Sequence, residues 1–369
     1  MNANRHRLLG AEVSYYSAKV RAYLRYKAIP FEEVTASRDV YRDVIVPRTG
    51  VRFIPVLISD DDVAVQDSSE IIGFLERRYP QPAIVPSAPL QHLVALLFEL
   101  YGDEWLLLPA MHYRWNVPEN RAFAIVEFGR LSMPDAAPEE QRALGEKLSG
   151  PFAGALPSLG VQSSTIAAIE ASYHEFLGEL SAHFSQHPYL LGTRPSIGDF
   201  SLFGPLYAHL YRDPASGRLM RQLAPAVAEW VQRLCAPAAR SGDFFRDDAI
   251  PATLEPLLSR LFREFGPVLE RTIERLSEFQ PDSPDDPLPR GLGTHDFQLG
   301  DATGTRTIYP FNVWRWQRAY DQYRALPDDA RAIAEHLLQR VGGLTLMQKP
   351  WTRRLGRRDN RLVFADSQV

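Results

Sequence analysis

Cysteine is almost absent: Cys235 is the single one in 369 residues. That excludes a disulfide framework and a cysteine metal centre. The thiol sits in an apolar helical pattern, Trp230-Val231-Gln232-Arg233-Leu234-Cys235, where a free cysteine behaves as a small hydrophobe. Long hydrophobic runs are also missing. Nothing approaches the about 20 apolar residues of a membrane helix, and Met1-Asn2-Ala3-Asn4-Arg5-His6-Arg7 lacks the apolar stretch of a signal peptide. A cytoplasmic protein with no membrane association is expected. A basic excess is absent too, the formal net charge being −4, which argues against a nucleic-acid partner. His183 and His187 have the four-residue spacing of a metal pair but no third ligand nearby, so no metal is expected. Gly300–Gly304 lacks the Lys-Ser/Thr of a phosphate loop and reads as a turn.

What is present is ordinary globular composition, 45% hydrophobic and 23% charged, in a chain long enough for two or three domains. One stretch stands out. Phe53-Ile54-Pro55-Val56-Leu57-Ile58 is a short apolar strand opening on proline. An acidic turn, Asp60-Asp61-Asp62, and a second short strand follow, then a helix that starts at Asp67-Ser68. A proline ahead of a strand marks an edge, a bulge or a cis bond. The Asp-Ser pair supplies an N-cap, and the helix start directs free N–H groups and a positive dipole end toward whatever lies beside Pro55. A small anionic ligand is implied.

Residues 7–34 read as strand, helix, strand, with the helix over Lys19 to Ala28, stopped by Pro30, and Phe31–Val34 as the second strand. With strands at Val56–Ile58 and Val63–Val65 and a helix from Ser68 to Tyr79, the order is βαβ then ββα, a thioredoxin-like pattern in about 80 residues. Pro80, Pro82 and Pro86 form a linker, and from Gln91 to about Ala236 the periodicity is helical. Beyond residue 240 the chain predicts an amphipathic helix over 254–277, a loop at 280–294, a hairpin over Phe297–Ile308 and helices from Pro310 and from Asp328 to Arg340. The basic stretch Lys349–Arg358 is expected to be solvated or to hold an acidic patch of its own chain.

Three motifs together resemble the soluble glutathione transferases, over residues 6 to about 236. Ser14-Tyr15-Tyr16-Ser17-Ala18-Lys19-Val20-Arg21 looks like the active-site loop and helix start of the serine-type (theta, zeta, omega-like) classes. Ile54-Pro55 with Gln66-Asp67-Ser68 looks like the strand and helix start that hold glutathione. Ser196-Ile197-Gly198-Asp199 looks like the buried capping box of the helical domain. The resemblance implies an α+β fold: a thioredoxin-like domain at 1–83, an all-helical domain at 90–240, and an extra, mainly helical C-terminal extension at 241–369 that ordinary members lack. It implies a homodimeric glutathione transferase acting in detoxification, which adds glutathione, its cosubstrate, to a hydrophobic small-molecule acceptor of unknown identity or uses it in isomerisation, ether cleavage or peroxide reduction. Ser14 is then the hydroxyl that activates the thiol, with Ser17 and Tyr15 as alternates, and Ile54, Pro55, Gln66, Asp67, Ser68 and Arg52 bind glutathione, with Lys19 a further candidate. Tyr101, Trp105, Met111, His112, Tyr113 and Trp115 are candidates to line the acceptor pocket. The rival reading is a non-catalytic binding or assembly protein on the same scaffold, with the function carried by the extension. A plain helix cap at Ser14 and at Asp67-Ser68 is the bland alternative for each site.

Overall fold

The computed structural model describes residues 5–236, 242–283 and 285–365. Strands β1 (His6–Gly10), β2 (Phe31–Thr35), β3 (Val56–Ile58) and β4 (Ala64–Gln66) form one sheet in the order β2-β1-β3-β4. β1 and β2 run parallel around the helix Tyr15–Lys27, and β3 and β4 run antiparallel to their neighbours. The alternation of βαβ and hairpin is the thioredoxin-like arrangement that the sequence predicts. Buried Val56, Leu57 and Ile58 make β3 a central strand. Proline is tolerated at its mouth because it precedes the first ladder pair, and the Ile54–Pro55 bond is cis.

The helical part is built on Pro89–Leu100, Leu107–Asn116, Ile166–Phe184, Ile197–Pro205 and Pro225–Cys235. Two further helices, Pro118–Ser132 and Pro138–Gly154, form an antiparallel pair held very close. A side chain at Gly129 would run into the backbone of Gln141, and one at Gly145 into that of Ile125. Asp199 anchors the Ile197–Pro205 helix. Its carboxylate accepts from the Ser196 N–H and hydroxyl, both at 2.8 Å, from Leu190 N–H at 3.0 Å and from Trp230 Nε1 at 3.2 Å.

In the extension the hairpin is present as β5 (Thr294–Leu299) and β6 (Ala302–Thr307), and helices span Pro310–Arg324 and Asp328–Arg340. The single amphipathic helix expected over 254–277 is two helices, Glu255–Glu264 and Gly266–Glu278. The break falls at Phe265, just before Pro267, whose ring and missing N–H oppose an uninterrupted helix. The basic stretch at 349–358 is intramolecular. It leads into a second hairpin, β7 (Leu355–Arg358) with β8 (Arg361–Phe364), and Arg353 donates to the carbonyls of Leu276 and Phe279. One hydrophobic core runs through all three parts, from Leu8 and Tyr23 through Trp230 to Leu261, Trp316 and Trp351. Of the histidine pair, His183 is fully buried, with Nδ1 2.7 Å from Thr253 Oγ1, and His187 is half-buried.

Candidate functional site

Strand register brings three loop ends together. Leu9 pairs with Val56 and Val56 with Gln66. The turn leaving β1, the cis-Pro55 entry to β3 and the Gln66-Asp67-Ser68 exit from β4 therefore share one end of the sheet. Ser14 N-caps the first helix, its Oγ accepting from the Ser17 N–H at 3.3 Å, and it is half-buried. Ser17 is fully buried and accepts from the Ala11 N–H at 3.3 Å, tying the loop to the helix. It packs so close to Gly10 that a Cβ there would lie 2.7 Å from its hydroxyl. The Tyr15 hydroxyl is committed elsewhere. It and Tyr16 both donate to the Asp103 carbonyl, at 3.0 and 2.9 Å, and burial pushes both phenols well above the ordinary tyrosine range.

Asp67 caps the helix Ser68–Arg78, accepting from Ser69 N–H at 2.9 Å and Glu70 N–H at 3.3 Å. Its φ of +89° lies in the region that non-glycine residues rarely occupy, a conformation held only where surrounding contacts fix it. Those contacts come from the extension. Arg315 Nη2 lies 2.7 Å from Asp67 Oδ2. Arg357 donates to the Gln66 carbonyl at 2.9 Å and also to Gln66 Oε1. Asn360 reaches the Thr49 carbonyl at 2.9 Å. Burial alone pushes the Asp67 carboxyl up, but Arg315, Arg357 and Lys19 outweigh it and hold it below the usual carboxylate range. Gln66, Asp67 and Ser68 are 7%, 7% and 1% exposed, and the Ser68 hydroxyl meets no hydrogen-bond partner among the described residues. Pro55 is buried, Ile54 half-buried and Arg52 exposed.

Behind these residues lies a buried charge cluster that sequence reading did not anticipate. Lys19, fully buried, pairs with Asp103 at 2.7 Å and Glu99 at 3.2 Å and donates to Ser69 Oγ at 2.9 Å, so its charge is spent inside the protein. Arg318 holds Glu99 at 2.9 Å, and Arg315 Nε stands 3.7 Å from both Asp103 and Glu104. Burial raises the Glu104 carboxyl to about 8, more than nearby Arg315 lowers it. The signal for this cluster was Glu99, Asp103 and Glu104 interrupting an otherwise apolar helix, since buried acids require partners. Which arginines answer them, more than two hundred positions later, leaves no local mark. The aromatic set proposed for an acceptor pocket is largely core: Trp105 donates to Glu264 at 3.0 Å, the Tyr113 hydroxyl lies 3.1 Å from His174, and Trp115 packs on Phe128.

Residues 8–83 match the family model for the glutathione S-transferase N-terminal domain and residues 163–233 that for its C-terminal domain. A probable glutathione S-transferase of rice, GSTU6, is 27% identical over 132 residues, which are 33% of this chain and 54% of that protein. The chain thus spans about half the length of this curated relative. Among solved structures, a glutathione S-transferase from Rhodospirillum rubrum F11 is 18% identical, covering 67% of this chain and 96% of its own with a TM-score of 0.41. The β-etherase LigF of Sphingobium sp. strain SYK-6 is 17% identical, covering 63% and 95% with a TM-score of 0.45. Over residues 8–83 and 163–233, therefore, this chain is similar to the N- and C-terminal domains of the glutathione S-transferases.

Proposed function

We propose that the protein binds glutathione at the sheet end formed by Pro55, Gln66, Asp67 and Ser68 and activates its thiol at Ser14 for transfer to an electrophile. The observation that carries this reading is the convergence of a cis-proline strand entry, an acidic cap at φ +89° and a serine-capped helix start at one end of the sheet. An ordinary alkyl thiol has a pKa of about 8.5, and only its thiolate is a good nucleophile. A hydroxyl donating to sulfur contributes about 1.5–3 kcal/mol to the charged form, which lowers that pKa by about one to two units. The positive end of the helix Tyr15–Lys27 adds to this. Ser14 suits the task because its cap bond uses only an oxygen lone pair, leaving its proton to donate. Ser17 is fully buried and Tyr15 is engaged with Asp103, so neither offers the same freedom. Retention of the full chain on immobilised glutathione, followed by conjugation assays with Ser14→Ala, tests the reading. Glutathione should still bind while turnover falls.

A specific observation favours the second reading, a non-catalytic binding or assembly protein. Arg315 and Arg357 already engage Asp67 and Gln66, as a locked scaffold would require. Absence of any glutathione retention supports that reading and removes the first.

A further inference from the structure

Arg306 is a buried cation whose charge no hydrogen-bond acceptor or carboxylate meets among the described residues. It projects from β6, is 3% exposed, and its guanidinium lies against two aromatic rings, Trp105 at 5.2 Å and Phe297 at 5.6 Å. Its edge is bare: Nε and Nη1 are buried and make no hydrogen bond, and no carboxylate among the described residues lies within ion-pair distance. Packing does not require this arrangement, because Met or Leu would fill the space between the rings without burying a charge. The surroundings repeat the imbalance. Arg315 Nε and Nη1 are also buried without a hydrogen bond, Nε standing 3.7 Å from Glu104 Oε1, so four guanidinium nitrogens lack hydrogen bonds beside two carboxylate oxygens that also lack them, Asp103 Oδ1 and Glu104 Oε1. Tyr16, hydrogen-bonded to the Asp103 carbonyl, joins this cluster to the helix start that Ser14 caps. A ligand that brings acceptor oxygens, and negative charge, answers the excess of donors.

We propose that Arg306, with Arg315 beside Glu104, recognises a carboxylate on the second substrate, so that the electrophile is an organic anion rather than a purely apolar molecule. This rests on the glutathione-transferase reading above. Trp105 and Phe297, whose rings stand nearly perpendicular to each other, pack against the guanidinium, and Nε and Nη1 remain as the donors that would pair with a planar carboxylate. Burial keeps Glu104 largely protonated at neutral pH, so that it does not repel the anion.

The test is calorimetric titration of the full-length protein with three probes: glutathione, S-benzylglutathione and S-(4-carboxybenzyl)glutathione. The wild-type protein is expected to bind the carboxylated conjugate at least about tenfold more tightly than the benzyl one. Arg306→Met should erase that preference and leave the affinity for glutathione unchanged. Equal wild-type affinity for the two conjugates overturns the anion assignment while leaving the glutathione site standing. Binding of none of the three overturns both readings. The wild-type comparison decides the matter even if Arg306→Met fails to fold.

Discussion

Among the described residues the Ser14 side chain has one hydrogen-bond obligation, as acceptor from the Ser17 N–H. Ser14→Ala is therefore expected to cost about 1 kcal/mol of helix stability through the lost cap and, in the proposed enzyme, at least about tenfold in turnover, since about 1.4 kcal/mol of thiolate stabilisation is tenfold in rate. Steady-state kinetics beside thermal melts separate the two, and an unchanged turnover removes Ser14 from the chemistry. Glu104 makes a different prediction. Its folded-state pKa of about 8 lies above the ordinary carboxyl value. The folded protein therefore holds a proton that the unfolded chain releases, and the stability this gives is present at acid pH and lost as pH rises through about 8. Asp67 and Glu99, both held low, act oppositely and only in the acid range. Urea midpoints measured from pH 5 to 9 should fall less steeply for Glu104→Gln than for the wild type. Parallel curves would remove Glu104 from the pH dependence.

At the level of elements, the capping box and the second hairpin invite separate tests. Asp199 answers four donors, so Asp199→Ala leaves several buried N–H groups unmet and should cost about 2–4 kcal/mol, read as a lower denaturation midpoint. The β7–β8 hairpin touches the first domain through Arg357 on Gln66 and Asn360 on Thr49. Arg357→Ala should speed amide exchange in Arg361–Phe364 and at Gln66 while leaving the helix Ile197–Pro205 protected; uniform exchange would show that the hairpin is not a latch. Most elements could be read in advance, because their signals are local: Pro30 ending a helix, Gly300-Asp301 turning a hairpin, and Ser196 and Asp199 three apart. The Phe265 break was missed because the Leu-Leu-x-x-Leu-Phe rhythm continues across it. At the site, the Asp67-Ser68 helix start was legible as a cap, with Asp67 the capping residue. Its coverage by Arg315 and Arg357 was not, since no periodicity reports which distant cation meets a given acid.

Over the whole molecule the continuous core sets the behaviour. Tryptophans lie in the helical part at Trp105, Trp115 and Trp230 and in the extension at Trp314, Trp316 and Trp351, all buried. Far-ultraviolet dichroism and tryptophan fluorescence should accordingly report one coincident thermal transition; two separated transitions would show that the extension melts as its own unit. The proposed homodimer should give a light-scattering mass about twice the 41.7 kDa of one chain. The pairing of Arg315 with Asp67 spans 248 positions, and this long reach has a consequence in time. During synthesis the first sheet and its helix start are complete long before Arg315 leaves the ribosome. Until then Asp67 lacks its Arg315 and Arg357 partners, and the walled site can form only once the last helices and the final hairpin have emerged.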